Sequence, residues 1–188
     1  MSEDRASKDF QHQHKGKTSE TLLDKKIILN ALTLLPGQII LDAGCGNGYM
    51  SKEFARLVKA SGKVYALDAD PAVIEILKSQ TQASIIEPFV GDITAQTKLR
   101  AGSIDFIYLS AVFHGFSQIQ IQGFIKEVLR LLKPNGILAI LEMKKMETPF
   151  GPPLAIRISP EELKQIIPLI PKPTIAINEY FYLQLFEN

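Results

Sequence analysis

Five short apolar runs alternate along the chain with amphipathic segments of helical period, and that alternation leaves few folds open. GQIILDAG (37–44), KVYALDAD (63–70), ASIIEPFVGD (83–92), IDFIYLSAVF (104–113) and ILAILEMKK (137–145) read as strands. Helical patterns lie before and between them at 18–35, 47–60, 71–81 and 120–132. The first carries Leu22, Leu23, Ile27, Ile28, Ala31, Leu32 and Leu35 at helical spacing and stops at Pro36-Gly37. The second ends at Ser61-Gly62, and the third opens with Asp70 as N-cap and Pro71 at the first helical position. Strands that are apolar throughout and separated by helices predict a parallel sheet covered on both faces. Lys133-Pro134-Asn135-Gly136 is predicted to be a turn before the fifth strand.

Beyond Lys145 the pattern changes. The segment 146–159 is proline-rich and irregular. Ser159 and Glu162 then have capping-box spacing and open a helix. TIAINEYFYLQLFEN (174–188) reads as two strands meeting near Asn178-Glu179, so the ending is antiparallel. No repeat of 20–50 residues is visible.

The 188 residues carry 21 Lys and Arg against 20 Asp and Glu, a net charge of +1, and 46% are hydrophobic. Mean hydropathy is +0.07. Such a chain has the apolar material for one sizeable core, expected over 19–188, preceded by a polar arm at 1–18 that is expected to be disordered. The charge balance argues against nucleic acid or an anionic membrane as partner. No apolar run approaches the ~18 residues of a membrane span, and the start lacks the apolar core of a secretory signal. One cysteine, Cys45, excludes a disulfide framework within the chain and a cysteine zinc cage. A cytoplasmic protein is the expectation. His12 and His14 stand two apart with no third ligand in view, so a metal site is not expected there.

The segment most informative about chemistry follows the first strand. Asp42 ends the strand, and Gly44, Gly46 and Gly48 alternate before a helix begins. Glycines let the backbone approach a ligand, and a helix N-terminus presents free N–H groups. The second strand ends in Asp68, where a carboxylate can accept both hydroxyls of a ribose. The third ends in Gly91-Asp92, an acid placed to take the amino group of an adenine or to make a turn. In an open α/β sheet, these strand ends are where a ligand binds. Tyr49 stands where a dinucleotide fingerprint needs its third glycine, which disfavours a pyrophosphate site, and the phosphate-binding P-loop motif is absent.

IILDAGCGNGY, VYALDADP, FVGD and EVLRLLKPNGILAILE together resemble the class I S-adenosylmethionine-dependent methyltransferases, over about 21–188. Within them the chain is similar to the small-molecule branch that contains the ubiquinone and menaquinone C-methyltransferases. It is also similar to short bacterial and archaeal proteins with an ETPFGPPL-x-I-R-x-S-P-E-E-L segment, here 147–163. The resemblance implies a Rossmann-like three-layer sandwich of class α/β. Its seven-stranded, mostly parallel sheet would carry an antiparallel C-terminal strand. The implied cofactor is S-adenosylmethionine, leaving as S-adenosylhomocysteine, with Asp42, Gly44, Gly46, Gly48, Asp68, Asp92 and Ser110 around it. Tyr49 would cover the cofactor or merely pack. Cys45 reads as a small buried residue of the loop.

Methyl transfer from a sulfonium needs alignment more than acid–base chemistry, and a general base only if the acceptor loses a proton. His114, in AVFHGF after the fourth strand, is the candidate base, or else a histidine that only bonds its own loop. Phe113 and Phe116 are candidates for the wall of an acceptor pocket. Arg157 is a candidate for an acidic acceptor or for a pair with Glu161. No N/D-P-P-Y/F motif follows the fourth strand, which argues against methylation of adenine or glutamine amino groups. A small metabolite is therefore the expected acceptor, methylated on O, C or N. A non-catalytic cofactor-binding module and a nicotinamide oxidoreductase are the alternative readings.

Overall fold

The computed structural model describes residues 23–81 and 84–188. The arm at 1–18, with His12 and His14, and the start of the opening helical segment lie outside the described residues. Helix α1 (Lys25–Leu32) is shorter than its apolar periodicity implies. Asp24 caps it by accepting from the Lys26 and Ile27 N–H groups, and Thr33, in the left-handed region at φ 46°, ends it before Pro36 is reached. The other elements fall where the patterns place them: β1 (Ile39–Ala43), α2 (Tyr49–Val58), β2 (Lys63–Asp68), α3 (Pro71–Gln80), β3 (Ile86–Val90) and β4 (Ile104–Ser110). These are followed by α4 (Gln118–Leu131), β5 (Leu132–Met143), α5 (Pro160–Ile166), β6 (Ile170–Pro171), β7 (Ile175–Ala176) and β8 (Phe181–Glu187).

The sheet order is β3-β2-β1-β4-β5-β8-β6, with β7 paired to β8 off this path. Strands β1 to β5 are parallel, and β8 runs antiparallel to β5, β6 and β7. Eight strands stand where seven were expected. The added strand is the dipeptide β6, which Pro173 separates from β7, while β7 and β8 are the two strands expected to meet near Asn178-Glu179. The predicted turn at 133–136 is an excursion inside β5. Its pairing with β4 jumps from Ile104↔Leu132 to Phe106↔Ile137, and Asn135 takes φ 62°.

Alternation along each strand builds two cores. Ile40, Ala66, Phe106, Leu141 and Leu183 pack beneath α1, α2 and α3, with Phe54 wholly buried among them. Leu41, Leu67, Ile107, Ile140 and Phe186 pack beneath α4 and α5. The three layers follow directly, and the chain reverses its direction of growth between β1 and β4, which opens a crevice at their carboxyl ends. No helix among the described residues is long and apolar enough to cross a membrane.

The loop after β3 is tied down on α4. Glu127 accepts from the Thr97 N–H and hydroxyl at 2.9 and 2.7 Å and pairs with Arg130 at 2.6 Å. One turn earlier, Gly123 lets the helix lie against this loop, since a Cβ there would stand 1.9 Å from the Thr94 carbonyl oxygen. Gly123→Ala is therefore expected to destabilise the protein by about 1–3 kcal/mol, read as a fall in melting temperature of about 2–4 °C per kcal/mol. An unchanged melting temperature would show that the loop is not held by this contact.

Candidate functional site

The carboxyl ends of β1, β2, β3 and β4 bring most of the singled-out residues to one edge of the sheet. Between β1 and α2, Gly44, Gly46 and Gly48 all take positive φ, 73°, 51° and 74°. Two of the three are also packed closely. A Cβ on Gly44 would meet Val112 Cγ2 at 2.8 Å, and one on Gly48 would meet Leu77 Cδ1 at 2.4 Å. Gly46 has nothing within 4 Å, so its Cα faces open space on the edge where a ligand can lie.

Asp42 is buried beneath this loop and accepts a 2.5 Å hydrogen bond from the Ser51 hydroxyl in the first turns of α2. Burial pushes its carboxyl up to about 7, against the opposing pull of Ser51, and the nearby Asp68 charge adds to the rise. Asp68 braces two loops: Oδ2 accepts from the Gly46 N–H at 2.9 Å and Oδ1 from the Asp70 N–H at 3.0 Å. Each carboxylate oxygen can accept more than one donor, so this bracing leaves capacity for ribose hydroxyls. Asp70 is spent as the cap of α3, accepting from the Ala72 N–H at 2.9 Å.

Asp92 is exposed and closes a turn, with Oδ1 accepting from the Thr94 N–H and hydroxyl, both at 2.8 Å. Ser110 ends β4. Tyr49 opens α2, with its ring packed against the core and the Lys25 ammonium 5.3 Å from the ring centre. Cys45 is buried, and burial followed by the Asp42 charge raises its thiol pKa, the reverse of what a nucleophile needs.

At the exit of β4, Ala111 adopts φ 54°, an uncommon conformation for a residue with a side chain, while its N–H donates to the Leu141 carbonyl at 2.8 Å. The turn that follows sets Val112 against Gly44 and begins a single 3₁₀ turn, Phe113–Gly115. His114 is held there by Glu142 of β5, whose Oε2 lies 2.8 Å from Nδ1 and whose Oε1 accepts the His114 N–H at 3.3 Å. Both side chains are under a tenth exposed. With Nδ1–H donated to Glu142, the neutral ring carries its basic lone pair on Nε2. His114, Val112, Phe116, Pro152 and Ile156 line a cavity of about 490 Å³, and its lining includes no Asp, Glu, Lys or Arg.

Two acceptor-side assignments are corrected. Phe113 does not line the cavity. It is buried in the core against Phe116 and Phe124, with ring centroids 5.6 Å from each, because the 3₁₀ turn buries it fully and leaves Phe116 half-buried at the cavity wall. Arg157 neither faces the cavity as an anion receptor nor pairs with Glu161. It is buried, and its five N–H donors are matched by the carbonyls of Pro152, Lys144, Met146 and Phe150 and the Thr148 hydroxyl. Arg157 is the clamp that gives the 144–157 segment its shape. Glu142, which holds His114, was missed by sequence reasoning. Its only signal was a polar side chain in the middle of a run otherwise apolar on both faces.

A family model described as a methyltransferase domain matches residues 41–140. The chain belongs to that methyltransferase domain family. It is 32% identical over 130 residues to an uncharacterized methyltransferase of Synechocystis, covering 68% of this chain and 58% of that one. It is 28% identical over 115 residues to a ubiquinone/menaquinone biosynthesis C-methyltransferase of Hydrogenovibrio crunogenus, covering 61% and 45%. The chain thus spans about half the length of the curated relatives it matches. Among solved structures, a SAM-dependent methyltransferase from Aquifex aeolicus superposes with a TM-score of 0.81 at 25% identity, covering 91% of this chain and 93% of that one.

The residues present fit the S-adenosylmethionine that a methyltransferase domain implies. The open face at Gly46, the Asp68 carboxylate beside it and the buried acid Asp42 offer room, a ribose partner and a carboxyl that a neighbouring ammonium group would draw into its charged form. Asp42 also makes a prediction about pH. Its folded-state pKa, near 7, lies above the ordinary 3.8, so the folded protein holds a proton that the unfolded chain releases. Its contribution to stability is therefore lost as pH rises from about 4 through about 7. In urea denaturation, wild type should lose stability relative to Asp42→Asn between these limits. A difference independent of pH would contradict the buried, protonated acid.

Proposed function

We propose that this protein transfers a methyl group from S-adenosylmethionine to a small, uncharged acceptor bound in the cavity beside β4 and β5. The observation that carries this reading is spatial. Val112 touches both the glycine loop and the cavity, so the two sites share a wall at the same sheet edge. When bound, S-adenosylmethionine supplies an electrophilic methyl on a sulfonium, and an in-line displacement mainly requires alignment and the exclusion of water. Asp68 holds the ribose, with Asp92 on the adenine side and Ser110 beside the methionine end. The apolar walls at Val112, Phe116 and Ile156 select an acceptor without charge and keep water from the reacting atoms.

His114 serves as the proton acceptor for an acceptor atom that bears hydrogen. Glu142 holds the ring in the tautomer that leaves Nε2 basic and balances the imidazolium that forms. The relatives named for quinone methylation support a small-molecule acceptor, and the charge balance of the chain gives no electrostatic reason to look for nucleic acid. A cytoplasmic location is the reading consistent with a chain that acts on metabolites.

Thermal shift tests the cofactor. A one-site ligand at ~100 times its Kd adds about 2.7 kcal/mol, or roughly 5–10 °C for a chain of this size. S-adenosylmethionine and S-adenosylhomocysteine should each produce this shift, and Asp68→Ala should abolish most of it. A shift with NAD instead would contradict the assignment. For the base, S-adenosylhomocysteine formation with a pool of neutral hydroxylated metabolites should fall about 10²–10⁴-fold in His114→Asn, with cofactor affinity unchanged. Undiminished turnover would leave His114 a loop-holding residue.

A further inference from the structure

The Tyr108 hydroxyl is the one buried side-chain oxygen or nitrogen without a hydrogen-bond partner among the described residues. Such orphans are rare, because an unmade bond in the interior costs stability, and each calls for an explanation. The ring itself is firmly placed. Tyr108 is 1% exposed, and Phe54 packs edge-on against it at 5.2 Å between centroids.

Its neighbours are the polar groups of the candidate site. In the β1–β4 register Tyr108 stands directly opposite Asp42, on the sheet face that α2 covers, and Ser110 follows two residues on along that face. The Asp42 charge and the Ser110 side chain both act on the phenol, although Ser110 does not reach hydrogen-bonding geometry. Around them the same face is apolar, with Ile40, Ala66, Leu141 and Met143. A buried carboxyl beside an unsatisfied hydroxyl complements a compact cation with several N–H donors. A cation beside Asp42 draws its carboxyl into the charged form, and the phenol oxygen accepts a second hydrogen bond.

We propose that Tyr108 is a further cofactor-binding residue, completing with Asp42 the pocket for the α-ammonium group of S-adenosylmethionine, directly or through one bound water. This rests on the cofactor reading above and adds to it the residue that discriminates the amino-acid end. Apolar burial explains the ring of Tyr108 but not its hydroxyl, which Phe would omit at a gain in stability.

The test separates these roles. Tyr108→Phe removes the oxygen alone, and binding is measured by calorimetry with S-adenosylhomocysteine and with 5′-methylthioadenosine, which keeps the nucleoside but lacks the amino-acid arm. The variant should bind S-adenosylhomocysteine about tenfold more weakly and 5′-methylthioadenosine as wild type does. Without ligand it should melt at the same temperature or a few degrees higher. Unchanged S-adenosylhomocysteine affinity, or an equal loss for both ligands, overturns the proposal while leaving the cofactor assignment intact. Failure of wild type to bind either ligand overturns both.

Discussion

The end of β2 clamps the glycine loop, and the site depends on that clamp. The Leu67 carbonyl accepts from both the Gly44 and Cys45 N–H groups, at 2.8 and 2.9 Å, and the neighbouring Asp68 carboxylate takes the Gly46 N–H. A loop with three glycines carries little side-chain packing of its own, so it would be mobile without these bonds. Fixing it places Gly46 against open space, puts Gly44 under Val112 and starts α2 at Tyr49. The start of α2 in turn sets Ser51 over Asp42. One strand-end contact thus orders the acid beneath the loop, the open face above it and the wall shared with the cavity.

The carboxyl edge also concentrates features that work against stability. Ala111 sits in a left-handed conformation worth roughly 1–2 kcal/mol of strain, Asp42 is a buried acid, and Tyr108 leaves a hydroxyl unmatched. Elsewhere among the described residues, buried polar side chains are satisfied. Arg157 finds five acceptors, Glu127 bonds Thr97 and Arg130, and the Tyr182 hydroxyl donates to the Ile158 carbonyl at 2.8 Å. That contrast fits a scaffold whose tolerated costs gather where a ligand completes the interactions.

Much of this was legible in the residues. Strand and helix positions followed from periodicity, and the strand-end acids and glycines fall together at the carboxyl edge because a parallel sheet carries its loops there. Tertiary contacts were not legible. Nothing local announces that Arg157 turns inward to hold four carbonyls, or that Phe113 is wholly buried while Phe116 reaches from the core to the cavity, since both depend on how a short irregular turn is directed. Glu142 is the clearest case. It lies 28 residues from His114 in sequence, and only the pairing of β4 with β5 joins them. Of the edge strands, β7 lies within the expected pair at 174–188, while β6 was lost among prolines that suppress a strand pattern without preventing two-residue pairing.

The central claim is that nucleoside, sulfur and cavity lie in line along this edge. A crystal structure with S-adenosylhomocysteine tests it most directly. The account predicts ribose hydroxyls on Asp68, the amino end toward Asp42, and the sulfur directed past Val112 into the cavity that His114 borders. A nucleoside bound away from the glycine loop, or a sulfur turned from the cavity, would contradict it.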